Sequence, residues 1–229
     1  MPEARAALVT AMKKEESLRY SVAKALYDLG FPEGLSTLRA MLDPQRESSS
    51  HLRHRAAREL AHRGIPEARP SLEASLDPNR EPDKWLRHRA AEALGRLGMS
   101  EARPALEAAL DPNREPDEGV RSTAAEALGR LGVPEARFAL EAALDPKSEP
   151  DEGVRAFAAN ALGRLGVPEP RYALEGALDS QRESCEGVRR SAAEALWDVA
   201  NANPDAFRPG CPHAHAIYKI PEWLKPPWH

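Results

Sequence analysis

Two groups of side chains in this sequence have types and spacings suited to chemistry. The first is cationic. His54, Arg55, Arg58 and His62 fall within one short stretch, and His88, Arg89 and Arg96 repeat three of those positions 34 residues later. On a helix, His54, Arg58 and His62 stand at i, i+4 and i+8 and share one side. Such a surface suits an acidic peptide, a phosphate group or a nucleic-acid backbone. Its imidazoles would strengthen anion binding below about pH 6.5. The same surface also reads as a solvated face in which Glu59 and Glu92 pair with the arginines. The second group is Cys211, His213 and His215 in "CPHAH". Thiolate and imidazole are zinc or copper ligands, yet three residues at alternating spacing fall short of a zinc pattern. The expectation is no metal and no cofactor.

Other chemistry is absent from the text of the chain. No GxxxxGK[ST], GxSxG or HExxH occurs. "ALGRLG" has two glycines but closes a helix and follows no strand, so it cradles no phosphate. The expectation is a non-enzyme. A net charge of −4 gives no overall basic field for nucleic acid. Two cysteines make no disulfide framework, which suits a reducing compartment. The opening "MPEARAALVTAMKK" lacks the layout of a secretory signal, and no apolar run approaches the ~20 residues of a membrane span. A cytoplasmic protein is expected.

The elements that must position these side chains come from a repeat. Leu18, Leu52, Leu86, Val120, Val154 and Val188 are 34 residues apart, as are Arg19, Arg53, Arg87, Arg121, Arg155 and Arg189. Leu26 to Leu196 and Asp43 to Asp179 keep the same step. Each unit reads as two helices. In "VPEARFALEAAL", Pro134 suits a first helical position, and Asp145-Pro146 stops the helix. In "GVRSTAAEALGRLG", Val120, Ala124, Leu128 and Leu131 lie on one face, and Gly132 supplies a left-handed stop. Helices of about a dozen residues are marginal alone. Each must bury its stripe against its neighbours, so stacked copies form a solenoid.

"VRxxAAxALGRLG" after "PEARxALEAAL" and an aspartate resembles the HEAT-repeat superfamily, in particular the phycobilisome-lyase HEAT-like subgroup. The resemblance covers residues 2 to about 200. It implies an all-α, right-handed α-solenoid of six HEAT-like helix pairs, with units at about 2–30, 31–64, 65–98, 99–132, 133–166 and 167–200. It also implies that the second helices line a concave face, and that the Asp and Arg columns form a ladder between repeats. On that reading Asp111 and Arg121 are structural. Deoxyhypusine hydroxylase, a HEAT-type enzyme, uses His-Glu dipeptides as iron ligands, and this chain has none.

One feature departs from the family pattern. In five copies the connector from the aspartate to the arginine is four residues longer than the family's. These inserts carry Glu47, Glu81, Glu115, Glu149 and Glu183, with Arg46, Arg80, Arg114 and Arg182 beside them and Ser148 at the remaining position. They read either as solvated padding or as a mixed-charge binding edge. From Asn201 the repeat gives way to a proline- and aromatic-rich tail, 201–229, holding Tyr218, Trp223 and Trp228. It is either a cap on the last repeat or an extended docking peptide. The functional expectation is a protein-interaction scaffold that binds another protein or peptide, acidic or phosphate-bearing, on its concave face. A phycobilin-lyase-like chaperone or a nucleic-acid binder is the alternative. No membrane partner is expected.

Overall fold

Each repeat folds as two helices because its two apolar stripes are separated by a turn that neither helix can cross. The computed structural model describes residues 2–14 and 18–203. Among the described residues there are twelve α-helices and no strand. The first helices of the six pairs are α1 (Pro2–Lys14), α3 (Pro32–Ala40), α5 (Arg69–Ala74), α7 (Arg103–Leu110), α9 (Arg137–Leu144) and α11 (Arg171–Ala177). The second helices are α2 (Arg19–Asp28), α4 (Ser50–His62), α6 (Lys84–Leu97), α8 (Glu118–Leu131), α10 (Glu152–Leu165) and α12 (Glu186–Ala202). The last of these runs two residues past the repeat end expected from the sequence. Pro134 does not open an α-helix directly. It starts a single 3₁₀ turn, Pro134–Ala136, from which α9 continues.

The stops are as the sequence predicts. Gly30, Gly64, Gly98, Gly132 and Gly166 all have positive φ, between 64° and 79°, a conformation with no Cβ penalty for glycine. The starts come from the inserts. Asp117 and Asp151 cap α8 and α10 by accepting the amide hydrogens of Val120 and Val154 at 3.1 and 2.9 Å, and Ser49 caps α4 from Leu52.

The chain divides into two compact units, Met1–Leu97 and Gly98–His229. In the first, α4 packs on α2, α3, α5 and α6. In the second, α10 packs between α8 and α12 and against α9. The core of both is a pair of leucine columns: Leu26, Leu60, Leu94, Leu128, Leu162 and Leu196 from second helices, and Leu38, Leu72, Leu106, Leu140 and Leu174 from first helices. All are fully buried, and each contributes on the order of 1.5–3 kcal/mol. The rest of the second-helix core is mostly alanine, which lets the backbones approach. A Cβ added to Gly129 would lie 2.9 Å from Ala161 Cα, and one on Gly163 would lie 2.8 Å from Ala195 Cα. The atoms met are backbone and cannot swing away. Gly129→Leu is therefore expected to destabilise the second unit by about 2 kcal/mol by overpacking, as read from the denaturation midpoint. The solvent-facing Glu194→Leu should shift that midpoint by about 0.5 kcal/mol at most. At the position of Gly129 and Gly163, the last repeat carries Trp197.

Candidate partner-binding face

The inserted loops show how the repeats are joined. In the second unit, Arg121 donates from Nη1 to the carbonyls of Glu115 and Pro116 in its own loop, at 2.9 and 3.1 Å. Its Nε and Nη2 form a bidentate pair with Glu149 of the next repeat, at 2.8 and 3.0 Å. Arg155 does the same with Glu183, at 2.7 and 3.1 Å. In the first unit Arg19 reaches Glu47 at 3.3 Å. Each insert glutamate also accepts an amide from two residues further on, as Glu149 does from Asp151 at 2.9 Å. Burial alone would raise the Glu183 carboxyl, but the Arg155 guanidinium and the Cys185 amide outweigh it and hold the group below its ordinary value. Arg155 is correspondingly raised, chiefly by its hydrogen bond to Glu183.

The ladder therefore exists with a different acid from the one expected. Asp111 does not pair with Arg121. Its Oδ1 accepts the Asn113 amide at 2.9 Å, and its Oδ2 lies 3.7 Å from Arg114. It folds its own turn. The reason is geometric: the inserted residues carry a glutamate across to the preceding arginine, and the aspartate is left at the turn. This also corrects the mixed-charge edge. Glu47, Glu81, Glu115, Glu149 and Glu183 are all buried, so they form no exposed row of charge. Arg46, Arg80 and Arg114 stay exposed.

The cationic group of repeats two and three lies on α4 and α6, within the first unit. Its seven members fare differently. His54 is not on the surface: it is 2% exposed, and neither ring nitrogen has a hydrogen-bond partner. Burial first, and then the charges of Arg58, His51 and Arg89, push it down to about 4, with Asp83 acting weakly the other way. It is neutral at pH 7 and binds no anion by charge. Arg55 lies with its guanidinium 4.1 Å over the Tyr20 ring, a stacked geometry that holds the fork in place. Arg58 is half-buried and Arg89 exposed. His62 is exposed, with Nε2 3.0 Å from Arg96 Nη1. Its pKa is lowered by desolvation, then by Arg96 and Arg58. Arg96 also binds Glu92 at 2.6 Å. His88 meets the Trp85 ring edge-on, with centroids 6.3 Å apart.

The expected neutralising partners divide. Glu92 does pair with Arg96. Glu59 turns away from the cationic group, taking Lys24 of the first repeat at 2.8 Å and Arg63 of its own repeat at 2.9 Å. Those hydrogen bonds hold its pKa low although burial raises it. Arg55, Arg58 and Arg89 are thus left without a carboxylate partner among the described residues. Trp85 was not singled out by sequence reasoning. It is 65% exposed, and it occupies a position that is glycine in the next three copies, Gly119, Gly153 and Gly187. Cys211, His213, His215, Tyr218, Trp223 and Trp228 lie outside the described residues. Among those described, no three His, Cys, Asp or Glu side chains gather where a metal could be held. Nor is any helix there long and apolar enough to cross a membrane.

Three open surface clefts repeat with the fold, at about 420, 380 and 130 Å³. They sit between a first helix and the insert of the next repeat.

Comparison with known proteins agrees with this architecture. The model for HEAT repeats matches residues 45–115 and 79–149, and the model for the PBS lyase HEAT-like repeat matches residues 18–44. No curated protein matches the chain significantly. Among solved structures, the complex of CpcE and CpcF of phycocyanin lyase from Nostoc sp. PCC7120 aligns with a TM-score of 0.55 at 25% identity, over 72% of this chain. The chain spans 65% of the length of that relative. An engineered protein aligns over 80% of this chain and 96% of its own, with a TM-score of 0.50 at 19% identity. That second likeness speaks for the fold alone. The two repeat models together cover residues 18–149, more than half of the sequence, and with the stacked helix pairs they place this chain in the HEAT-repeat superfamily.

Proposed function

We propose that this protein is a non-catalytic scaffold that holds an acidic segment of a partner protein against α4 and α6. The observation that carries the reading is the set Arg55, Arg58 and Arg89: three guanidinium groups in one unit with no carboxylate partner among the described residues, in a chain of net charge −4. Elsewhere in the described chain arginines are widely paired, as at Arg63, Arg69, Arg103, Arg121 and Arg155. Arg55 is already ordered by Tyr20, so binding a carboxylate loses little side-chain entropy. Trp85, exposed on α6, offers the aromatic anchor that interfaces favour. No cofactor takes part in this reading. The protein acts in the cytoplasm, and the tail beyond α12, with Tyr218, Trp223 and Trp228, serves as a cap or docking segment.

A second reading has one observation behind it. The phycocyanin lyase relative supports a chaperone or enzyme subunit of the bilin-lyase kind, and that relative is itself solved as a complex of two proteins. The open clefts favour the scaffold, because a chromophore needs enclosure.

Isothermal titration with an acidic peptide, a phosphopeptide and a nucleic-acid duplex separates the partners. The acidic peptide is expected to bind, and Arg58→Glu with Arg89→Glu to weaken it at least about tenfold. Unchanged affinity in that double variant rejects the scaffold face. Tighter binding of the duplex, with a steep salt slope, moves the assignment to nucleic acid.

A further inference from the structure

The cleft of the first unit differs from its counterparts in one chemical respect. In the second unit the corresponding clefts are lined by Glu149 and by Glu183 but not by the arginines that hold them. Arg121 and Arg155 have committed every donor nitrogen to the ladder. In the first unit the rung is open. Arg53 and Glu81 both line the cleft of about 420 Å³, and among the described residues they make no ion pair with each other. Arg53 is anchored as its counterparts are, from Nη1 to the carbonyls of Glu47 and Ser48 at 2.7 and 2.8 Å. Its Nε and Nη2 donate to nothing described. Glu81 accepts one hydrogen bond, from the Asp83 amide to Oε1 at 3.2 Å. Its Oε2 takes none.

A cation and an anion with donor and acceptor atoms to spare thus line one space without pairing. The other charges nearby are engaged: Glu67 by Arg39 at 2.8 Å, and Arg80 by Asp77 at 3.6 Å. A simple anion would gain Arg53 but suffer Glu81, and a simple cation the reverse. We propose that this cleft binds a small zwitterion of the α-amino-acid class, with its carboxylate on Arg53 Nε and Nη2 and its ammonium on Glu81 Oε2. Bidentate guanidinium–carboxylate pairing supplies the stronger half, and the Ser71 and Ser75 side chains line the same cleft. The site uses none of Arg55, Arg58 or Arg89 and stands apart from the scaffold reading.

Titration of the full chain with glycine, glutamate and lysine, followed by calorimetry and by amide NMR shifts, tests this. At least one amino acid should saturate the site with Kd on the order of 1 mM. Acetate alone and methylammonium alone should not bind at about 10 mM. Arg53→Gln should weaken binding at least about tenfold. Because that change could also loosen the loop, Ser71→Phe serves as a second variant: it fills the cleft from α5 with both rung residues intact, and should abolish binding too. Absence of amino-acid binding at about 10 mM overturns the proposal. So does binding that survives Ser71→Phe, and so does acetate binding as tightly as the amino acids.

Discussion

Glu149→Ala is expected to lower the stability of the second unit by about 3–5 kcal/mol. Glu149 is fully buried and pairs in bidentate fashion with Arg121, which is itself buried. Removing the carboxylate strands a guanidinium that water cannot reach. The loss is therefore the desolvation penalty of an uncompensated charge, much larger than the net worth of the pair. The Asp151 amide loses its acceptor at the same stroke. Asp111→Ala is the matched control. That aspartate holds only its own turn, so about 1 kcal/mol is expected. Urea unfolding of both variants decides which acid completes the ladder, and equal effects would restore the Asp–Arg pairing.

Lowering the pH from 6.5 to 4 should remove up to about 3 kcal/mol of stability through His54 alone. Its folded pKa is pushed down to about 4, first by burial and then by Arg58, His51 and Arg89. The unfolded chain restores an ordinary value near 6.5. Between those values the unfolded state binds more protons than the folded one, so stability rises with pH across that window and is fully present above it. His62 is also lowered, and Glu59 and Glu183, held low in the fold, add acid sensitivity below about pH 4.5. The His54 share is isolated by comparison with His54→Phe, which keeps a ring in the buried site and should flatten the profile between about pH 4.5 and 6.5. An unchanged profile in that variant would mean that His54 is solvated.

The helices, their glycine stops and the leucine columns were legible because each is set locally, by a 3.6-residue stripe and a left-handed turn, and then written five or six times. The ladder was half legible. A recurrent arginine in the first turn of a helix opposes the dipole and demands an acid, but which acid depends on how the insert folds back. The signal was present: glutamate stands in all five inserts, whereas the neighbouring arginine gives way to Ser148. The N-caps at Asp117 and Asp151 could also have been read, as acidic residues three before the first core valine.

The cationic face was read in part. Arg55, Arg58 and Arg89 stand where helical spacing puts them, without a carboxylate partner among the described residues. His54 was misplaced because the same position is held by half-buried Ser122 and Ala156 in later copies and by exposed Arg190. Only the fold of the first two repeats, where Tyr20 is buried as well, closes over it. Trp85 drew no notice because its position is glycine in the next three copies, a difference that spacing rules do not weigh.

Amide NMR of the full chain titrated with an acidic peptide tests the scaffold face most directly. Shifts that saturate along α4 and α6, centred on Arg55, Arg58, Trp85 and Arg89 and leaving α9 and α11 unmoved, are the predicted result. Saturating shifts on α9 and α11 with α4 and α6 silent would contradict it.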